Sequence, residues 1–299
     1  MKLDFGYWPD RIDIVQGDLL ISTLSNFDES VSDVETDENI RADWIYPGNQ
    51  RAQLLGAGQS IQPYCARVFG LPKTHSIEHK SSDNAQQLEF HIWALSYFKG
   101  MRFTATEAGF LDSTPIKRGK LVDFLLCGKL EDAVQLAETF WDSNNHNPIQ
   151  TQRFGAAVHA LFMAQNPQHL QFEQFIYLYT ALDACFALLW ESVSGRKPNH
   201  AQRIAWMCNK VSATTPDWAT TGSQNATEIS ALRNNAIHEA LFAGEPLGFS
   251  LKKTGGNRNL MLEMQALTCR ILAGIIGIPD QAYIQSPVNT RQIMGLHIS

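Results

Sequence analysis

The second half of the chain consists of apolar segments with helical spacing, each closed by proline or glycine, and this pattern constrains the fold most. Asn166-Pro167 closes one segment, and Gly277 with Pro279 closes the last. Apolar side chains spaced three and four residues apart lie on one face of a helix, and proline or glycine ends it. Helices are predicted over residues 152–165, 172–191, 201–210, 227–242 and 259–276. Short polar turns between five helices predict an all-α bundle.

The first half has a different texture. Residues 1–25 alternate weakly and predict one or two strands, with a turn at Gly17-Asp18. Apolar spacing predicts a helix from Ala85 to about Met101 and a second over residues 120–141, whereas residues 44–84 support no assignment. Residues 142–148 are rich in residue types that interrupt helices and strands, which favours a boundary between domains 1–148 and 149–299. The predicted class is α+β, with a mixed α/β N-terminal region before the helical bundle.

Composition limits the cellular setting. The 299 residues are 44% hydrophobic and 18% charged, which is enough for a buried core. No run of about 18 apolar residues is present, and the N-terminus lacks an apolar signal region, so neither a membrane span nor export is predicted. The cysteines show no C-x-x-C pair and are predicted to be free thiols in the cytoplasm. They are Cys65, Cys127, Cys185, Cys208 and Cys269.

Charge is distributed unevenly along the chain. Residues 1–152 hold 13 Lys/Arg and 21 Asp/Glu, a balance of −8, whereas residues 153–299 hold 11 and 9, a balance of +2. Much of the acid lies in residues 28–43, which are predicted to form an acidic loop. Two interpretations stay open for it, a solvated loop or a phosphate mimic that occupies a basic site until it is displaced.

The residues best suited to chemistry are Arg233, Asn234 and His238, within the predicted helix 227–242. Cleaving RNA by attack of its 2′-hydroxyl requires proton transfer and a cation beside the developing phosphorane charge. Histidine titrates near neutrality, and arginine offers a permanently charged fork for phosphate oxygens. Arg233 and His238 are separated by about 140° around an ideal helix, so they meet only if the arginine side chain curls round or the helix bends. Alternatively, Arg233 caps a carboxylate and His238 is an ordinary residue of the helix face.

Asp183 is a second candidate, because it falls among apolar residues of the predicted helix 172–191. A carboxylate in that position is costly unless it is paired. Arg233 or Arg203 is the expected partner, which gives Asp183 and Arg203 a supporting role in positioning the site. The alternative is an aspartate that reaches solvent at the edge of the bundle.

The spacing Arg233-x-x-x-x-His238, with Asn234 after the arginine, resembles the R-x-x-x-x-H motif of the HEPN superfamily, and the resemblance covers roughly the last 145 residues. The segment FEQFIYLYTALDACFALLW resembles the long family helix with an acidic residue, and the final helix followed by GIPDQAYI resembles the end of HEPN domains in abortive-infection proteins. The position of the motif on the penultimate predicted helix makes the match more specific than six residues alone.

This resemblance implies a metal-independent endoribonuclease without cofactors that acts as a toxin or anti-phage effector. It implies an RNA substrate, a homodimer with a composite active site, and an antitoxin or regulatory partner. The alternative is a non-catalytic HEPN module that binds RNA or nucleotide, or serves as a dimerisation platform. A monomeric protein would favour that alternative.

One competing motif is His75-Ser-Ile-Glu78-His79, which matches the H-x-x-E-H pattern of zinc peptidases. That chemistry needs both histidines one turn apart on a buried helix. The flanking residues, among them Lys73 and Lys80, lack the apolar periodicity of such a helix. A fortuitous polar segment is therefore favoured over a metal site.

Overall fold

The computed structural model describes residues 1–54, 56, 58–65, 69–105, 112–191, 193–221, 227–239, 259–290 and 292–298. It is an α+β protein, as predicted, with sheets in the first part and mostly helices in the second. The chain divides into two compact units, residues 1–121 and 122–299.

A four-stranded antiparallel sheet forms the centre of the first unit. Its strands are β1 (Lys2–Phe5), β2 (Ile14–Gln16), β3 (Leu19–Thr23) and β8 (His75–His79), in the order β1-β8-β3-β2. β2 and β3 form the predicted hairpin, whose turn contains Gly17 at a positive φ of 56° that favours glycine. Helix α2 (Ala85–Lys99), also as predicted, packs against β1 and β8.

Shorter strands complete this unit. β4 (Ile40–Arg41), β5 (Trp44–Ile45) and β9 (Thr114–Pro115) form one small antiparallel sheet. β6 (Asn49–Leu54) and β7 (Gly58–Cys65) form an antiparallel pair, within the segment that the sequence left unassigned.

The acidic segment 28–43 is not the predicted loop, because most of it forms helix α1 (Phe27–Glu35) and strand β4. Phe27, Ser30 and Val34 are buried, and their spacing places them on one helix face. Asp28 and Glu29 lie in the first turn, where carboxylates interact favourably with the helix dipole. The many acidic residues of this segment made its amphipathic helical pattern hard to recognise in the sequence.

The H-x-x-E-H segment is the buried strand β8 and neither a helix nor a fortuitous polar segment. Residues four apart on a strand are separated by about 13 Å, so His75 and His79 cannot bind one metal ion in the zinc-peptidase manner. Within the described parts of the chain, no group of three or more metal-ligating side chains is close enough to hold an ion. His75 is fully buried among the rings of Phe5, Trp8 and Phe27.

Helices dominate the second unit, and their bounds follow the prediction closely. Helix α8, which is buried along most of its length, contacts α4, α5 and α6 and ends at Gly277 with a φ of 86°. The predicted end of the fourth helix, residues 240–242, lies outside the described residues. The helices are α3 (Leu130–Asn144), α4 (Pro148–Met163), α5 (Gln171–Trp190), α6 (His200–Val211), α7 (Glu228–His238), α8 (Leu260–Ile276) and α9 (Gln281–Ile284).

The helix predicted over residues 120–141 is only partly correct. Its first part is strand β10 (Phe124–Cys127), which pairs in parallel with β11 (Met294–His297), and α3 begins only at Leu130. The second unit is therefore not all-α. Local periodicity cannot predict pairing with a strand that lies so far along the chain.

The two compact units divide after Leu121, so residues 142–148, where the sequence predicted a boundary, lie inside the second unit. Ala133, Ala137 and Trp141 of α3 are buried, and α3 packs against α4 and α8. The polar segment after α3 is a turn between two helices of one unit. Residues that interrupt helices occur in loops within a domain as well as in linkers between domains.

Helix α5 has the length and apolar composition of a membrane span, a criterion that core helices of soluble proteins also meet. Among the described residues, Cys127, Cys185, Cys208 and Cys269 form no disulfide bond, as predicted.

Candidate functional site

Helix α7 carries the three motif residues. It begins with a capping box, in which Thr227 Oγ1 accepts from the Ser230 amide and Ser230 Oγ accepts from the Thr227 amide. Ile229 and Leu232 are buried and anchor the helix, whereas Asn234 and His238 are exposed. The local sequence thus fixes α7 and directs its polar residues outward.

Arg233 and His238 are in direct contact. Arg233 Nη1 donates to His238 Nε2 at 2.5 Å, although the two residues are five apart on the helix. A guanidinium has no acceptor, so Nε2 is the acceptor in this contact. The arginine side chain therefore curls round the helix, which is one of the two routes that the spacing required.

Asn234 contacts the arginine and not the imidazole. Its Oδ1 accepts from Arg233 Nη1 at 3.1 Å. The spacing of one turn between Asn234 and His238 allowed the amide to orient the ring, but the amide oxygen holds the guanidinium. The motif is consequently one hydrogen-bonded chain, with Arg233 between an amide and an imidazole.

Asp183 on α5 pairs with Arg203 on α6, one of its two expected partners. Arg203 Nη1 donates to Asp183 Oδ1 at 2.8 Å, and the side chains are 18% and 40% exposed, respectively. This partial burial strengthens the attraction compared with an open surface pair. Asp183 is therefore paired with a predicted partner, and its side chain also reaches solvent, as the alternative for this residue stated.

Two residues that the sequence analysis did not select, Tyr179 and His200, join the same cluster. Tyr179 Oη lies 2.8 Å from His200 Nδ1, in hydrogen-bond contact. Tyr179 precedes Asp183 by one turn on α5, and His200 precedes Arg203 by three residues on α6, so each pair shares a helix face. These two spacings are the signal for Tyr179 and His200 that the sequence contains.

Electrostatics connect the residues on α5 and α6 to the motif on α7. Burial, and then the nearby Arg203, lower the pKa of His200, and Arg233 and His238 contribute in the same direction. Burial and the Asp183 carboxylate raise the pKa of Tyr179 to about 12, against the effect of Arg233 and Arg203. Both groups are therefore neutral at pH 7, and the two arginines supply the positive charge.

The cluster combines two fixed cations with an exposed imidazole. The Nε atoms of Arg203 and Arg233 are buried without a hydrogen-bond partner in the described regions. Buried donors without a partner are costly, and the charged guanidinium groups can still bind an anionic oxygen through their Nη atoms. The arrangement suits a phosphate group held by arginine beside a histidine that exchanges protons.

Comparison with protein-family models, curated proteins and solved structures finds no match to this chain. Function is therefore inferred from the chemistry of the cluster and from the motif on α7.

Proposed function

We propose that this protein is a metal-independent endoribonuclease of HEPN type, with Arg233, Asn234 and His238 as its catalytic residues. The observation that carries the proposal is the contact between Arg233 Nη1 and His238 Nε2 on the surface of α7. A phosphate that binds the guanidinium would stand beside the imidazole, which is the juxtaposition that 2′-hydroxyl attack requires.

In the proposed step, the 2′-oxygen of the RNA attacks the adjacent phosphorus while a neutral imidazole takes its proton. The bond from phosphorus to the 5′-oxygen breaks, and that oxygen receives a proton as it leaves. The products are a 2′,3′-cyclic phosphate and a 5′-hydroxyl. Arg233 offsets the charge on the pentacoordinate phosphorus, a contribution worth about 3 kcal/mol for a well-placed donor.

Asp183 and Arg203 support this chemistry as positioning residues. Their ion pair links α5 to α6 and keeps a second guanidinium near the motif. Asn234 restrains Arg233 in the same way through its amide oxygen. Positioning of this kind lowers the entropy lost when the phosphate and the imidazole come together.

A second copy of the chain would complete the site. α7 exposes Ala231, Asn234, Ile237 and His238, and the isoleucine is 49% exposed. An exposed apolar residue between two polar site residues suits a symmetric helix–helix contact. Two such helices facing each other would supply two histidines, one to accept the proton and one to donate it.

A toxin or anti-phage effector is the biological role that this activity favours. An unrestrained ribonuclease harms its own cell, so an antitoxin or another regulatory partner would hold it inactive. Induced expression of the wild type should stop growth, and expression of His238→Ala should not. Equal growth of both cultures would argue against a toxic ribonuclease.

The second candidate function is a non-catalytic module that binds RNA or nucleotide. One observation favours this alternative, namely that Arg233 already donates a hydrogen bond to His238 Nε2. The imidazole could act as a general base through this atom only after Arg233 has moved away. Release would require the phosphate to draw the guanidinium away, and a binding module needs no such movement.

The deciding experiment is to incubate the purified protein with total RNA, with and without EDTA, and to analyse the ends of the products. Cleavage that survives EDTA and leaves 2′,3′-cyclic phosphates supports the proposal. A substrate with 2′-deoxyribose at the cleaved position is the control, since it lacks the nucleophile. RNA that is bound but stays intact would favour the module.

A further inference from the structure

The candidate site continues along α5 and α6 into a cluster of aromatic rings. On α5, Asp183 is followed on the same face by Phe186 and Trp190, and on α6 Arg203 is followed by Trp206. The Phe186 and Trp206 ring centroids are 5.4 Å apart, as are those of Trp190 and Trp206. We call Phe186, Trp190 and Trp206 the aromatic end.

The polar and aromatic parts are joined through Arg203. Its guanidinium carbon lies 4.7 Å from the centre of the Phe186 ring, while its Nη1 binds Asp183. Because Tyr179 pairs with His200 at the other end, contacts between α5 and α6 advance in the same direction along both helices. At a rise of about 1.5 Å per residue, the strip from Tyr179 to Trp190 is about 16 Å long.

Cations lie over these rings. Lys210 Nζ is 5.6 Å from the centre of the Trp206 ring, and Lys197 Nζ is 5.5 Å from that of Phe186. Both lysines are exposed, and neither has an ion-pair partner among the residues that the structure describes. Glu191, the nearest carboxylate in sequence to Trp190, is neutralised by Arg153 at 2.9 Å. Half-buried tryptophan rings beside unpaired cations form a surface complementary to a polyanion with flat bases.

We infer that the aromatic end is a base-stacking subsite for single-stranded RNA, so that an unpaired base rests on Trp206 while the neighbouring phosphate binds Arg203 and Arg233. This inference rests on the proposed function and specifies its substrate class. Bases in a duplex are stacked on each other and unavailable, whereas unpaired bases stack readily on aromatic side chains. Lys210 would leave the ring face to the base and move to a backbone phosphate.

Binding to a short RNA that cannot be cleaved tests the subsite without depending on activity. The probe is a fluorescent single-stranded oligonucleotide with 2′-O-methyl groups throughout, which removes the nucleophilic hydroxyl. A series of probes carries an abasic site at each successive position. Anisotropy should show that one abasic position weakens binding to the full-length wild type about tenfold, which is the loss expected for one stacked base.

Variants of the aromatic end give an independent readout. Trp206→Leu should bind the complete probe about tenfold more weakly and should no longer distinguish the abasic probes, whereas Trp206→Phe keeps a ring face and should retain the distinction. Lys210→Gln should weaken binding and its salt dependence. Lys129→Gln, which removes an exposed lysine from the start of α3, is the matched control and should bind like the wild type.

Failure of the subsite and failure of the ribonuclease proposal have different signatures. Equal affinity for all abasic probes, or wild-type affinity of Trp206→Leu, overturns the subsite even if natural RNA is cleaved. A tighter complex with double-stranded than with single-stranded probe also overturns it. A position-specific abasic effect with no cleavage of natural RNA supports the subsite and overturns the ribonuclease.

Discussion

Arg233 Nη1 reaches His238 Nε2 at 2.5 Å, although the two residues begin on faces of α7 that are about 140° apart. The long side chain closes the gap, and Asn234 holds it by accepting a second hydrogen bond. A single helix therefore presents a cation and an imidazole at one point of its surface.

The first prediction concerns the two motif residues themselves. His238→Ala and Arg233→Ala should each lower RNA cleavage by about 10² to 10⁴, the usual loss for a proton-transfer group or a charge-stabilising donor. The measurement is the cleavage rate of one labelled RNA under single-turnover conditions. His146→Ala and Arg41→Ala are controls of the same residue types at exposed positions outside the cluster and should cleave normally. Insoluble protein from both motif variants would instead mean a structural role.

The second prediction concerns the ion pair between Asp183 and Arg203. Asp183→Ala and Arg203→Ala should each lower the cleavage rate about tenfold, and the double variant should be no slower than the worse single variant. Each substitution already breaks the same contact, so the effects should not add. Rates for all four proteins measure the coupling. Losses that multiply in the double variant would contradict a shared positioning role.

The third prediction is a homodimer formed through α7. Ile237→Arg should convert the dimer to a monomer and abolish cleavage, because two like charges would face each other at the contact. Sedimentation velocity at micromolar concentration measures the state, and Leu125→Arg, at another exposed apolar position (47% exposed), is the control. A wild type that is monomeric would remove the composite site and favour the binding module.

The fourth prediction concerns the buried Arg270 of α8. Its Nη1 donates to Asp123 at 2.6 Å and its Nη2 to Ser286 at 2.9 Å, while Tyr283 also donates to Asp123. Arg270→Met should lower the free energy of unfolding of this unit by about 3 kcal/mol or more, because Asp123 loses its cationic partner and keeps only the hydrogen bond from Tyr283. Urea denaturation measures the loss. The double variant Arg270→Met with Asp123→Asn should recover part of it, and a loss below about 1 kcal/mol in the single variant would contradict the expectation.

The fifth prediction concerns His75 in the first unit. Burial lowers the pKa of His75 to about 4, against the opposing effects of Asp10 and Asp13. The ordinary pKa of histidine is about 6.5, so the unfolded chain binds the proton more readily than the folded chain. The free energy of unfolding should therefore fall by about 3 kcal/mol as the pH drops from about 6.5 to about 4.

Hydrogen exchange of the β8 amides at pH values between 7 and 4, corrected for the intrinsic exchange rate, reports this loss within the first unit. His75→Phe replaces the imidazole by a ring that suits its aromatic neighbours, and it should remove most of the pH dependence. A variant with the same pH dependence as the wild type would assign the effect to other groups.

Local sequence patterns were sufficient for much of the helical unit. Apolar spacing and the breaker residues located α4, α5, α6 and α8 to within a few residues, because helix hydrogen bonds and the buried stripe both depend on near neighbours in sequence. The same reasoning found the β2–β3 hairpin, which closes across two residues at Gly17-Asp18.

Only the tertiary structure decided the rest. β10 pairs with β11 from the far end of the chain, β8 is a central strand despite its polar sequence, and the acidic segment forms a helix around Phe27 and Val34. Each depends on partners distant in sequence, whose burial outweighs local propensity.

The candidate site divides in the same way. The sequence alone predicted Arg233, Asn234 and His238 as site residues, since their spacing is a property of one helix, and it limited the expected partner of Asp183 to two arginines. The choice of Arg203, and the entry of Tyr179 and His200 into the cluster, followed from how α5 and α6 pack. The contact between Arg233 and His238 depended on the path of a flexible side chain, and helical spacing does not specify that path.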